Sequence, residues 1–534
     1  MVRVALKSAL TLLIGIWLAS SVACLSFIAI GTDEAWVLNG LRSSQEPTVP
    51  GLSTEVILTS GGPFALANLF LERSFGSVVW IHRSFSLACL WALAAYVFRI
   101  GAKAGRSWVA GGLAVALLLG LPGTAEVGTL ALGNSAACLL MVLGASIWTR
   151  VEAPGLVRTV VAGLFFGFAA ACRTEMTLTF AAVIAVGAIR PLEAGGFSWR
   201  LPLRGTAMAL LALGIFLGSL YLLRRASPTM PLEDQLTNTA NSSGLSGGML
   251  ASLLDYPRFL NKLLVGQSFE PFAILALASA LPFCFRSTDP GENRLSAVLV
   301  ASGWMIALGW LFRSPIPHLR YLWPALACIA IPAGLTVARI YARMASDGRS
   351  PAAFLCLIVA IGSLVGGLSG TGRSLVLGEG DVISWEWSRE MGADYFRRFQ
   401  ARRDQADVVQ YLKDEIPADG QIYSTVPYKL RYLTHRPIID LTRPRSVKVG
   451  PAGRTGSDGP PASKYVVIPP EVGTYLYLTP EADAWYRSHA KLMKQFGRYS
   501  VYRLDRDWPE DAELIQFYRT NYLRHPLSDR WFGR

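Results

Sequence analysis

The sequence predicts a polytopic α-helical membrane protein with a small α/β domain at its C-terminal end, and three observations carry that expectation. The 534 residues are 52% hydrophobic and only 16% charged, whereas a soluble globular chain carries about 25% charged residues. The apolar residues gather into runs of about 18–24 residues nearly free of charge, the length that crosses roughly 30 Å of hydrocarbon. Beyond residue 370 the charge rises, the long apolar runs end, and helical and strand patterns alternate.

The spans fall near residues 8–30, 77–98, 107–123, 127–148, 156–172, 174–189, 205–223, 269–285, 295–312, 318–340 and 351–369, about eleven in all. Every second short loop is basic: Arg99, Lys103 and Arg106; Arg150 and Arg158; Arg190, Arg200 and Arg204; Arg286 and Arg294; Arg343 and Arg349. Retention of Lys and Arg on the cytoplasmic side then places the N-terminus inside. An odd span count places loops 31–76 and 224–267 and the C-terminal region outside. "LASSVAC" offers small residues before Cys24, but the apolar run continues to Ile30 and Ser21 stands three before the cysteine, so the first run is expected to stay as a span.

Membrane topology also accounts for much of the net charge of +13, so no nucleic-acid partner is implied. The cations left on the outer side, among them Arg42, Arg73, Arg258, Lys262 and Arg313, suit anionic lipid head groups. All seven cysteines lie in apolar spans and read as small packing residues, with no disulfide framework or metal knuckle. Trp80, Trp148, Trp310 and Trp323, near span ends, read as an aromatic belt. The chain holds no Walker loop, dinucleotide glycine pattern or HExxH spacing.

Residues 371–534 are expected to form the outer α/β domain, following a membrane domain over 1–370. Within it "QADVVQYLKDEIP" has helical periodicity, "QIYSTV", "RPIIDL", "KYVVIP" and "YSVYRL" read as short strands, and "EADAWYRSHAKLMKQF" reads as a helix. "RPRSVKVGPAGRTGSDGPPASK" is a Gly-, Pro- and Ser-rich loop.

Where the first apolar run stops, "IAIGTDEAWVLNG" places two adjacent carboxylates, Asp33 and Glu34. They are either a plain polar helix terminus or chemistry at the membrane surface. Four stretches in order bear on the choice: "TDEAW"; "GGPFALANLFLERSFGSVVWIHRSFSLACLWALAAY"; "HLRYLWPALACIAIP"; and "IYSTVPYKLRYLTHRPIID". This ordered set, over most of the chain, resembles the bacterial relatives of the protein O-mannosyltransferases and of the aminoarabinose transferase, which have the GT-C glycosyltransferase fold.

The resemblance implies an enzyme of the bacterial inner membrane, with its active site and C-terminal domain facing the periplasm. It would move a sugar from a polyprenyl-phosphate carrier to an acceptor hydroxyl of a lipid, glycan or protein. It implies Asp33 as the catalytic acid with Glu34 as its companion, and it matches Arg83 to the arginine opening the second span and Arg320 with Tyr321 to a late Arg-Tyr pair, all three expected to bind the carrier phosphate. Where relatives often carry His or Lys before a Pro-Pro pair, this chain has "SGGP", ending at Pro63.

The chemistry asks for the same groups. Displacement of phosphate at an anomeric carbon passes through an oxocarbenium-like transition state in which a carboxylate can take the proton of the attacking hydroxyl. Cations in a poorly hydrated site stabilise the leaving phosphate. Arg173, in "ACRTEMTLTF", can either pair with Glu175 or bind that phosphate, and Arg224 and Arg225 either mark an interface or bind it too. No cofactor is certain; a divalent cation held by Asp33 with Glu55 and Glu72 is the metal arrangement the acids allow. The competing class is a non-enzymatic transporter or carrier-lipid-binding assembly factor. A transporter is expected to show paired broken helices in two related halves and acids near mid-span, and neither pattern is present.

Overall fold

The computed structural model describes residues 2–27, 34, 37–38, 62–76, 78–121, 123–150, 155–193, 200–226, 269–313, 319–346, 350–377, 401–424, 427–436, 438–440, 463–468, 490–497 and 499–504. Asp33, Glu55, His318, loop 224–267 beyond Ala226 and the Gly/Pro/Ser-rich stretch before Ser463 lie outside the described residues.

The helices of the apolar part are α1 (Val2–Phe27), α2 (Gly62–Phe75), α3 (Val79–Ala104), α4 (Trp108–Leu119), α5 (Thr124–Thr129), α6 (Asn134–Thr149), α7 (Leu156–Cys172), α8 (Leu178–Glu193), α9 (Arg200–Ala226), α10 (Phe269–Cys284), α11 (Pro290–Arg313), α12 (Leu319–Ser346) and α13 (Ser350–Leu377). A 3₁₀ turn, Thr174–Thr177, joins α7 to α8. By length and composition four described stretches can cross a membrane: Val4–Ser26, Val79–Ala104, Leu322–Ala345 and Pro351–Gly372. The α12 stretch is 89% buried against 22–39% for the other three, so α12 is the central helix and they present more of their surface outward.

Around α12 the helices approach closely, as small residues allow. A Cβ added at Gly334 of α12 would lie 2.2 Å from the Ala114 carbonyl oxygen of α4, and one added at Gly101 of α3 would lie 2.3 Å from the Ala114 Cβ. Alanine at 334 must therefore push α4 off α12, and is expected to lower stability by about 1–3 kcal/mol. Gly214→Ala, on α9 where an added Cβ meets nothing within 4 Å, is the matched control and should leave it unchanged or higher. Thermal unfolding of the two variants in detergent checks this.

Two expected spans need correction. At ~1.5 Å per residue the 12-residue α4 is about 18 Å long, too short to cross alone; Ser107 Oγ caps it by accepting from the Ala110 amide at 3.1 Å, and Gly120 ends it. The run over 127–148 is two helices. Leu130 is extended (ψ 142°) and Gly133 is left-handed (φ +76°), which separates α5 from α6. The aromatic belt is corrected too: Trp80 is exposed, but Trp148 and Trp323 are buried, and the Trp323 indole donates to Thr124 Oγ1 at 3.0 Å. Five cysteines are buried, Cys89 is half-buried and Cys284 is exposed; all seven are free thiols.

The C-terminal part holds α14 (Ala401–Asp414), β1 (Gln421–Ser424), α15 (Pro427–Thr434), β2 (Ile438–Asp440), β3 (Lys464–Ile468), β4 (Ala490–Phe496) and β5 (Tyr499–Leu504). The sheet order is β2-β1-β3-β5-β4, with β1 parallel to β2 and β3 and with β5 antiparallel to β3 and β4. Val408 and Leu412 of α14 and Leu430 of α15 close its core with Ile422, Val467 and Val501. Arg436 donates to the carbonyls of Leu412 at 2.6 Å and Ile416 at 2.7 Å, satisfying groups left open where α14 ends.

The helix expected over 481–496 is corrected at its C-terminal half, where residues 490–496 form strand β4. Phe496 pairs with Tyr499 across a two-residue turn that begins at Gly497 (φ +54°), so hairpin closure overrides the helical pattern. Leu492 and Met493 are exposed on this edge strand, which explains why its apolar residues do not alternate.

Candidate active site

The candidate site sits at the end of the bundle where α1 finishes and α3 begins. Glu34, the second acid of "TDEAW", is helical and 1% exposed, and it closes on Arg83 in the first turns of α3, also 1% exposed. Arg83 Nε donates to Glu34 Oε1 at 2.8 Å and Nη2 donates to Oε2 at 2.5 Å, the two-pronged geometry a planar guanidinium makes with a carboxylate.

The same pair ties two more elements. Arg83 Nη1 donates to the carbonyls of Cys24 (3.4 Å) and Leu25 (3.2 Å) in the last turn of α1, where helix carbonyls lack intrahelical partners and a cation is favoured. Glu34 Oε1 also accepts from the Ala131 amide at 3.1 Å. That amide is available because the chain breaks between α5 and α6. Arg83, which the family pattern assigns to the carrier phosphate, is thus closed on Glu34 and α1, and the pair joins α1, α3 and the Leu130–Gly133 break.

Two further clusters lie at this end. Arg173 leaves α7 in extended conformation (φ −145°, ψ 116°), and its Nε donates to Glu175 Oε1 at 2.8 Å while Nη2 donates to the same oxygen. Both residues are 9% exposed, so of the two sequence readings the ion pair is the one present. A Cβ at Gly133 would lie 3.3 Å from the Cys172 carbonyl and 3.4 Å from the Phe64 ring, so α2, the start of α6 and the end of α7 converge beside Arg173.

The other cluster escaped the sequence reading. His82, fully buried beside Arg83, sets Nδ1 2.8 Å from Asn68 Oδ1 and Nε2 2.7 Å from Glu72 Oε2. Asn68 Nδ2 donates to the Phe64 carbonyl at 2.9 Å, which turns its oxygen toward His82, so Nδ1 is the donor to Asn68. The signal was the spacing of Phe64, Asn68 and Glu72, four apart on one face of α2, with Leu66 and Phe70 exposed on another. Glu72, expected as a candidate metal ligand, bonds to histidine here. Among the described residues no three metal-binding side chains cluster.

The remaining candidates are placed by backbone only. α7 and α9 run parallel, since Gly163 faces Leu211 and Gly167 faces Ile215; Arg224 and Arg225 therefore end α9 on the Arg173 side. The start of α11 lies beside the C-terminus of α6, where Arg294 Nη1 donates to the Thr149 carbonyl at 3.4 Å, and Glu292 pairs with Arg339, late in α12, at 3.8 Å. Arg320 and Tyr321, which open α12, consequently fall at the opposite end, the end of the Glu34–Arg83 pair. Asp33 lies outside the described residues, one position before Glu34.

The bundle with its broken early span, a further helix before the next span and a C-terminal mixed sheet has the GT-C fold, shared with the solved structures that follow. The chain is similar to the crystal structure of ArnT, the aminoarabinose transferase, from Cupriavidus metallidurans bound to undecaprenyl phosphate, with a TM-score of 0.58 at 14% identity over 92% of this chain and 97% of that one. The apo structure of the same ArnT gives 0.56 at 13% identity with the same coverage. No family model and no curated protein sequence matches the chain.

Proposed function

We propose that the protein is an inverting membrane glycosyltransferase that moves a sugar from a polyprenyl-phosphate carrier to an acceptor hydroxyl on the outer face of the bacterial inner membrane. The observation that carries this reading is the Glu34–Arg83 clamp, which fixes the residue next to Asp33 to three elements at one end of a bundle with the ArnT fold. The bound undecaprenyl phosphate of that ArnT structure supports a carrier lipid as the donor.

In this reading Asp33 is the base. An aspartate with an ordinary pKa near 3.9 is weak, but it suffices when fixed within about 3 Å of the acceptor oxygen, and neighbouring Glu34 supplies the fixing. As the acceptor oxygen bonds to the anomeric carbon, the carbon–phosphate oxygen bond breaks, Asp33 takes the hydroxyl proton, and the electron pair leaves on the carrier phosphate. Arg173, held in one orientation by Glu175, together with Arg224, Arg225, Arg320 and Tyr321, meets that growing charge. Arg83 positions the loop rather than the phosphate. The long outer loops and the sheet domain provide acceptor-facing surface on the same side.

Comparison of envelope glycans and glycolipids by mass spectrometry in cells with and without the gene tests the function: loss of one glycoside is expected, and an unchanged profile opposes the reading. For the phosphate site, Glu175→Gln gives a background free of an unpaired buried acid. Adding Arg173→Gln to it is expected to raise the donor KM about tenfold, the worth of one charged hydrogen bond. An unchanged KM removes Arg173 from the site.

A further inference from the structure

The fourth family-like stretch, "IYSTVPYKLRYLTHRPIID", has no part in the chemistry above, yet the fold carries it to the candidate site. Its helix α15 faces two ways. Leu430 enters the core of the sheet domain, while Tyr432, 4% exposed, enters a separate cluster with Val37, Leu38 and Leu130–Leu132; Leu433 touches both. Val37 and Leu38 stand three and four residues after Glu34, and Leu130–Leu132 flank the amide that Glu34 accepts from.

We infer that Tyr432 and Leu433 are positioning residues of the sheet domain, which grip the segment after Asp33 from outside the membrane while Glu34 and Arg83 grip it from within. The segment is then anchored by charge at residue 34 and by apolar contact at residues 37 and 38. An acceptor that shifts the sheet domain thereby shifts the base. The apolar grip stands on the packing alone; its consequence for turnover rests on the proposed glycosyl transfer.

The test uses the full-length protein in lipid nanodiscs, with hydrogen exchange of the peptide spanning residues 33–40 and, separately, kcat and KM for release of polyprenyl phosphate. Tyr432→Ala is expected to speed exchange in that peptide while α6 and α7 stay protected, and to lower kcat by about tenfold or more at an unchanged donor KM, the signature of a displaced base. Tyr432→Phe, which keeps the ring, should restore the slow exchange and most of kcat. Leu433→Ala repeats the measurement with a smaller truncation if Tyr432→Ala does not fold. Wild-type exchange at residues 33–40 in both truncations overturns the inference, as does a fall in melting temperature with kcat intact. Faster exchange in a protein whose wild type transfers no sugar leaves the grip standing and removes the enzymatic reading.

Discussion

Asp33→Asn is expected to leave the protein folded and to lower kcat by about 10²–10⁴-fold, the range over which a positioned general base acts. The substitution is isosteric and replaces a proton-accepting carboxylate by a neutral amide, leaving the phosphate-facing arginines in place, so donor KM should hold. The physical reason lies in the neighbour. Glu34 is engaged by three hydrogen bonds, two from Arg83 and one from Ala131, which fix its carboxylate as an anchor. An acid bonded to Arg83 of α3 and to the α5–α6 break is committed as an anchor, and the proposed mechanism accordingly assigns the base to Asp33. Steady-state turnover with a polyprenyl-phosphate-linked sugar reads the result, and wild-type turnover in Asp33→Asn contradicts the assignment.

The second large effect concerns the clamp itself. Arg83→Met leaves the Glu34 carboxyl group buried with its principal partner gone, and is expected to cost about 3–5 kcal/mol of stability. Glu34→Leu leaves the guanidinium in the same position. The double variant Glu34→Leu/Arg83→Met replaces the pair by apolar volume and should regain most of that stability, because buried ion pairs rarely exceed well-packed hydrophobic substitutes. Activity should not follow. The apolar pair keeps the core but loses the bonds to Ala131 and to the α1 carbonyls, so kcat stays low while the melting temperature recovers. Recovery of both together would make the clamp a stability element only.

These expectations show what was legible in the sequence. Length and apolar content of the runs announce the helices because a bilayer demands about 20 apolar residues per crossing, and the strands of the sheet domain follow from β-branched and aromatic runs between turn residues. Helix breaks inside apolar runs were not legible by hydropathy. The break at Leu130–Gly133 leaves composition unchanged and is signalled only by Gly133, yet it supplies the amide that receives Glu34. β4 carries a helical pattern in sequence because an edge strand exposes both faces and so shows no alternation; Gly497, which closes the hairpin, is its one local signal.

The site divided the same way. "TDEAW" marked the position of the acids, but only pairing across 49 residues of sequence tells anchor from base, and no local pattern encodes that Arg83 meets Glu34. Arg173 and Glu175, two residues apart, were near enough to be read as a pair. His82, a lone histidine in an apolar helix, carries little signal in sequence, because Asn68 and Glu72 face it only in the fold.

The most direct test of the central claim is a single-turnover assay of the purified chain with polyprenyl-phosphate-linked sugars extracted from the envelope, following both products by mass spectrometry and the anomeric configuration by NMR. Release of free polyprenyl phosphate with a new glycoside of inverted configuration, in wild type and not in Asp33→Asn, is the predicted result. Carrier binding with no turnover, or a product that retains the donor's configuration, would contradict it.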